Sequence, residues 1–270
     1  MSAMALLLAV ALPGATAHFF RPLDEKPLEL QVFAPPAHQA SDARPAIVFF
    51  FGGGWEHGSV TQFVRQASYL ASRGMVAVCA DYRTRASHGT TPFECIADGK
   101  AAVRWVRAHA TELGVDPNRI AASGGSAGGH VAASTALLNE LEEKDADTSI
   151  SCMPDALVLF NPVLDTTATG YGAKKIGARC REASPSHHIR GGLPPTIIFH
   201  GTADKTVKIE NARRFADEMK KAGNACTLIT YDGQGHGFYR DEPYYSAVLG
   251  EVDKFFVSLG WIAEKPTSSK

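Results

Sequence analysis

Ser126 lies at the centre of Gly124-Gly125-Ser126-Ala127-Gly128, a G-x-S-x-G pentapeptide. Asp204 and His236 follow it in that order, Asp204 in Gly201-Thr202-Ala203-Asp204 and His236 in Gly233-Gln234-Gly235-His236-Gly237. A serine hydroxyl is a poor nucleophile at neutral pH without a base, and imidazole has the pKa for that task. A carboxylate then fixes the imidazole tautomer and stabilises the imidazolium. Ser…Asp…His is the chain order of one known triad topology, and the chemistry it supports is nucleophilic attack on an acyl carbon. Such attack creates an oxyanion, which needs N–H donors. Ala127, at the start of a helix, offers one. Gly52-Gly53-Gly54-Trp55 lets the backbone approach a ligand closely, so Gly53 and Gly54 are read as the other donors. Trp55 and His57 are read as lining a substrate cleft, with packing support as the alternative for Trp55.

These residues need a frame that brings distant chain segments to one edge. Short apolar runs at Leu28–Phe33, Ala46–Phe51, Val76–Ala80, Ile120–Ser123, Ala156–Phe160, Thr196–His200 and Thr227–Tyr231 are read as strands. Ala46–Phe51 and Thr196–Phe199 are continuously apolar, as expected of strands covered on both faces. Leu28–Phe33 alternates and suits an edge strand. Helical patterns fall near Thr61–Ser72, Phe93–Leu113, Ala127–Leu141, Lys208–Ala222 and Tyr244–Leu259. The alternation predicts an α/β fold with a doubly wound, mostly parallel sheet and helices on both faces. In such sheets ligands bind beyond the carboxyl ends of the strands, where Gly53, Ser126, Asp204 and His236 all fall. Asn161–Leu193 fits neither period and is read as a functional excursion.

The 270 residues carry 27 basic and 28 acidic side chains, a net charge of −1, which recommends neither nucleic acid nor an anionic membrane as partner. Hydrophobic residues are 45% of the chain, excluding intrinsic disorder. Residues 18–270 are read as one domain. Met4–Leu12 is too short to span a bilayer, which needs about 20 residues. With Ala15-Thr16-Ala17 behind it, the segment 1–17 reads as a secretory leader cut after Ala17, implying a secreted or periplasmic enzyme. No Lys or Arg precedes the apolar run, so an N-terminal helix docked on the domain, in a cytoplasmic protein, is the alternative. None of the five cysteines forms a C-x-x-C pair. His187-His188 places adjacent rings on opposite sides of an extended segment, so no metal site is expected. His130 is read as packing beneath the nucleophile turn, and Asp165 as the rival triad acid.

Together with Asp81-Tyr82-Arg83, Asp116-Pro117-Asn118-Arg119-Ile120 and Gly125-Ser126-Ala127-Gly128-Gly129, these motifs resemble the α/β-hydrolase esterases of the hormone-sensitive-lipase-like and small bacterial acetyl-esterase group. The resemblance covers about Leu28 to Leu259. It implies a cofactor-free serine esterase with Ser126, Asp204 and His236 as triad. Relatives often carry a histidine where this chain has Phe51, so a hydrogen bond that shapes their glycine loop is missing. With a minimal N-terminal cap, loops such as Asn161–Leu193 must build the acyl site. Short acyl esters, including acetylated carbohydrate such as xylan, are the expected substrates. A general small-ester carboxylesterase, a serine peptidase on the same fold, and a non-catalytic ligand-binding relative are the alternatives.

Overall fold

The computed structural model describes residues 9–23 and 26–265. Its frame is an eight-stranded sheet in the order β1-β2-β4-β3-β5-β6-β7-β8. The strands are β1 (Thr16–Arg21), β2 (Leu28–Phe33), β3 (Arg44–Phe50), β4 (Val76–Ala80), β5 (Val115–Gly125), β6 (Ala156–Phe160), β7 (Thr196–Gly201) and β8 (Cys226–Tyr231). From β4 to β8 every pairing is parallel, whereas β2 runs antiparallel to both β1 and β4. All seven expected strands are present.

The eighth strand, β1, corrects the reading of Leu28–Phe33 as an edge: β2 has neighbours on both sides. Its alternation reflects a covered polar residue instead. Gln31 is fully buried, accepting from the Leu12 amide and donating to the Val10 carbonyl. Residues 9–15 therefore run over β2 as a loop, not as the helix considered above, and β1 continues across Ala17. The remainder of the leader reading, residues 1–8, lies outside the described residues.

The helices are α1 (Val64–Ser72), α2 (Arg85–His88), α3 (Pro92–Ala108), α4 (Ala127–Leu137), α5 (Ala173–Ile176), α6 (Ile209–Lys221) and α7 (Tyr244–Ser258). Strand residues alternate between two apolar layers. Val48, Phe50, Val78, Ala122, Leu159 and Ile198 pack with Val103 of α3, Val131 of α4 and Phe215 of α6. On the other face, Ile47, Phe49, Ala77, Val158 and Phe199 pack with Leu70 of α1 and with Val252 and Phe256 of α7. Every residue of α4 is buried, in keeping with its sequence of mostly small residues, and His130, Ser134 and Thr135 are buried with the rest. Gly128 makes that burial geometrically feasible, since a Cβ there would meet the Phe50 carbonyl oxygen at 2.1 Å. Among the described residues, no helix is long and apolar enough to cross a membrane.

Candidate active site

Ser126 stands between β5 and α4 with φ 57° and ψ −120°. That left-handed backbone is costly for a residue with a Cβ, and it persists because the surroundings fix it. The Ser126 amide donates to the Phe160 carbonyl at 3.0 Å, and the Ser126 carbonyl accepts from His130 and Val163, both at 3.1 Å. The end of β6 thus grips the turn from the side while α4 begins beneath it.

Asp204 follows β7 and His236 follows β8, as the strand reading requires. His236 Nδ1 lies 2.7 Å from Asp204 Oδ2, and its Nε2 lies 3.0 Å from Ser126 Oγ. An ionised carboxylate only accepts, so the proton between them resides on Nδ1. Nε2 is then the free lone pair facing the serine hydroxyl. Asp204 Oδ1 accepts the amides of Thr206 and Val207, both at 2.9 Å, and so holds the carboxylate in one rotamer. His200 Nε2 is 3.4 Å from Asp204 Oδ2. Burial pushes the Asp204 pKa up, but the hydrogen bonds from His200, His236 and Val207 outweigh it and keep the carboxyl well below the usual carboxylate range. The acid is therefore a carboxylate whenever the imidazole is needed as a base.

The glycine loop leans on the nucleophile turn: a Cβ added to Gly52 would stand 3.2 Å from Ser126 Cβ. Phe51, in place of a histidine, does not leave this loop unsupported. Its carbonyl accepts from the Tyr82 hydroxyl at 2.6 Å, its ring stacks on Tyr82, and the Gly52 amide donates to Gln62 Oε1 at 2.6 Å. Gly53 and Gly54 have φ 138° and 64°, a path open to glycine. The amides of Gly53, Gly54 and Ala127 have no protein acceptor among the described residues. Lys175 of the excursion donates to the Gly54 carbonyl at 3.1 Å.

Trp55 is only 2% exposed, its ring edge-on to His130 and tilted against Tyr171, so it props the loop from within. His57 is exposed beside it. His130 Nε2 lies 2.6 Å from the Ala183 carbonyl, tying α4 to the excursion. Burial moves the His130 pKa from 6.5 to about 4 against that hydrogen bond, leaving a neutral ring. Asp165 is turned away from the triad, occupied by Thr167, Thr169 and Arg214. His187 Nδ1 is satisfied by Ser184 Oγ at 2.9 Å. Among the described residues no cluster of three or more metal-ligating side chains forms.

One residue of the site escaped the sequence reading. Asn161, directly after β6, is 1% exposed with φ 34°. Its Oδ1 accepts the Gly237 amide at 3.0 Å, and its own amide donates to the Phe199 carbonyl at 2.7 Å. Gly237 adjoins His236, so the segment that holds the Ser126 turn also holds the histidine loop. A polar residue at a strand end was the available signal, but its partner lies 76 positions away.

A parallel sheet with a strained strand-to-helix serine, an acid after the penultimate strand and a histidine after the last defines an α/β-hydrolase fold. The BD-FAE family description matches residues 30–219, and the chain belongs to that family, whose relatives are hormone-sensitive-lipase-like esterases. Esterase LipC of Mycobacterium tuberculosis is 31% identical over 220 residues, covering 72% of this chain and 53% of that protein. Carboxylesterase NlhH of the same organism is 29% identical, covering 78% of this chain and 71% of its own. The chain spans about half the length of the first curated relatives it matches. Thermogutta terrifontis esterase 2, in its apo structure, is 48% identical with TM-score 0.90, covering 94% of this chain and 97% of that one. It is also known phosphorylated by paraoxon, at 48% identity and TM-score 0.89, and with butyrate bound, at 46% and 0.89, with the same coverage of both chains.

Proposed function

We propose that the protein hydrolyses carboxylic esters of short acyl groups through an acyl-serine intermediate. The observation that carries this reading is the continuous chain from Asp204 Oδ2 to His236 to Ser126 Oγ, at 2.7 and 3.0 Å. His236 Nε2 takes the hydroxyl proton as Oγ bonds to the ester carbonyl carbon, and the carbonyl oxygen becomes an oxyanion facing the Gly53, Gly54 and Ala127 amides. Collapse expels the alcohol, which leaves with the proton from His236. Water then repeats the sequence on the acyl-serine and releases the acid. The ester carbonyl is already electrophilic, so the reaction calls for no metal or organic cofactor.

The short-acyl reading rests on the composition of the excursion Asn161–Leu193. Each buried methylene contributes about 0.8 kcal/mol, and a long chain needs an apolar tunnel to realise it. Thr166 is buried, and the exposed or half-exposed part of the excursion offers Thr167, Thr169, Lys174, Lys175, Arg179 and Arg181 instead of an apolar stripe. The butyrate-bound relative supports an acyl site of that size. Acetylated carbohydrate such as xylan suits so polar a surface and is the proposed natural class. A chromogenic ester series from C2 to C12, run beside acetate release from acetylated xylan, tests both parts. The expected optimum lies at C2 to C4, with acetate released from xylan. Higher kcat/KM for C8 to C12 esters overturns the acyl reading. Failure on xylan leaves a carboxylesterase of small esters; carboxylesterase is the activity that the name of NlhH carries.

A further inference from the structure

Gly53 and Gly54 belong to a run of three glycines, a stretch poorly able to hold its own shape because no Cβ restricts φ. Contacts from outside must fix it. Several come from the body of the domain. The Phe51 carbonyl accepts from the Tyr82 hydroxyl at 2.6 Å, the Gly52 amide donates to Gln62 Oε1 at 2.6 Å, and the Gly53 carbonyl accepts the Glu56 amide at 3.1 Å. Past the glycines, the Trp55 carbonyl accepts the Arg85 amide at 3.0 Å and the Glu56 carbonyl the Ala86 amide at 2.9 Å.

Gly54 is held differently. Its carbonyl accepts from Lys175 Nζ at 3.1 Å, a side chain of the excursion. The Tyr171 hydroxyl oxygen and Lys175 Nζ each lie 3.0 Å from where a Cβ on Gly54 would stand. The same ammonium is 3.3 Å from Glu56 Oε1, and the Tyr171 ring centre lies 5.8 Å from that of Trp55. Behind these side chains the excursion is itself fastened, the Tyr171 amide to the Asp165 carbonyl at 2.9 Å and the Lys175 amide to the Gly172 carbonyl at 2.8 Å. A hydrogen bond from a charged donor is roughly twice as strong as a neutral one. Lys175 thus supplies at Gly54 the restraint that a side chain of its own would give. A Gly54 free to rotate would carry its amide away from the oxyanion, and a donor lowers the barrier only where it already points.

We propose that Lys175 is a positioning residue for the oxyanion hole, holding Gly54 by its carbonyl so that the Gly54 amide is aimed before substrate arrives. This rests on ester hydrolysis at Ser126 with Gly54 as an oxyanion donor. Losing such a donor outright costs about 10²–10³ in kcat, and loosening one should cost part of that. Lys175→Met keeps the stem and removes the ammonium. On a short-chain ester its kcat should fall about 5- to 30-fold with KM within about twofold, because the restraint acts in the transition state. Glu56→Gln breaks the ion pair and leaves the Gly54 contact, so its kcat should stay within about threefold. Lys175→Cys, alkylated with bromoethylamine to rebuild an ammonium of near-lysine reach, should regain most of the lost kcat. Wild type treated alike controls for Cys152 and Cys180, which are half-buried. A Lys175→Met loss below about fivefold, a loss carried by KM, or no recovery on aminoethylation overturns the proposal while the esterase stands. So does a Glu56→Gln loss as large as that of Lys175→Met, since the ion pair and not the Gly54 carbonyl would then matter. A wild type that turns over no ester overturns the esterase reading and the proposal with it.

Discussion

Two buried aspartates follow neighbouring strands, Asp165 after β6 and Asp204 after β7, and only one faces the histidine. Both are held below the usual carboxylate range, in each case by hydrogen bonds that outweigh burial. Asp165 spends Oδ1 on the Thr167 amide and hydroxyl, and Oδ2 on Thr169 and Arg214. Asp204 satisfies Oδ1 with two backbone amides and directs Oδ2 at His236. Burial and a depressed pKa are therefore common to a carboxylate that faces the histidine and to one that does not. What separates them is the group that each free oxygen faces. The β6 loop still serves the triad, but through Asn161 and the Phe160 carbonyl instead of its acid.

The comparison breaks first at Asp204. Asp204→Asn presents the imidazole with an amide that cannot fix the same tautomer, and kcat should fall about 10⁴-fold with the fold intact. Steady-state kinetics on a short-chain ester measures it. A loss of that size from Asp165→Asn, with Asp204→Asn near wild type, would exchange their roles.

Asn161→Ala should come next, lowering kcat about 10- to 100-fold with KM little changed, because His236 loses the anchor of its loop. Asn161→Asp retains an acceptor for the Gly237 amide and should recover part of the rate. Equal losses in both variants would mean that the hydrogen bond is not what matters.

Asp165→Asn should leave kcat/KM within about threefold and cost about 1–3 kcal/mol of stability, read from urea unfolding. A carboxyl whose folded pKa is depressed contributes stability above its unfolded value, 3.8 here, and loses it as pH falls below that value. Asp165→Asn and Asp204→Asn should therefore both flatten the acid limb of the stability profile. They would agree in stability and part in rate. An acid limb unchanged by Asp165→Asn would show that its hydrogen bonds give no net stabilisation.

Periodicity made most of this frame legible. Val76–Ala80 and Ala156–Phe160 are strands at the boundaries their apolar runs suggest, because both faces of a central parallel strand are covered. β1 was not legible: Thr16–Arg21 is half-buried after an exposed Thr16 and lacks either pattern. The edge reading of Leu28–Phe33 failed because a polar side chain can be buried once a loop supplies its partners, as residues 10–12 do for Gln31. The positions of Ser126, Asp204 and His236 were legible because strand ends bring chemistry to one edge. Asn161 was not, since its contact with Gly237 is made between loops that no local spacing records.

The most direct measurement is covalent titration with an organophosphate such as paraoxon, which phosphorylates the Thermogutta terrifontis relative. Mass spectrometry should find one adduct per chain, on Ser126, with esterase activity falling in proportion to labelling. Ser126→Ala should take up none and keep only a residual acceleration of roughly 10³–10⁴ over water, supplied by the oxyanion hole and binding. An unlabelled Ser126 in an active enzyme, or near-full activity in Ser126→Ala, would contradict the assignment of the nucleophile.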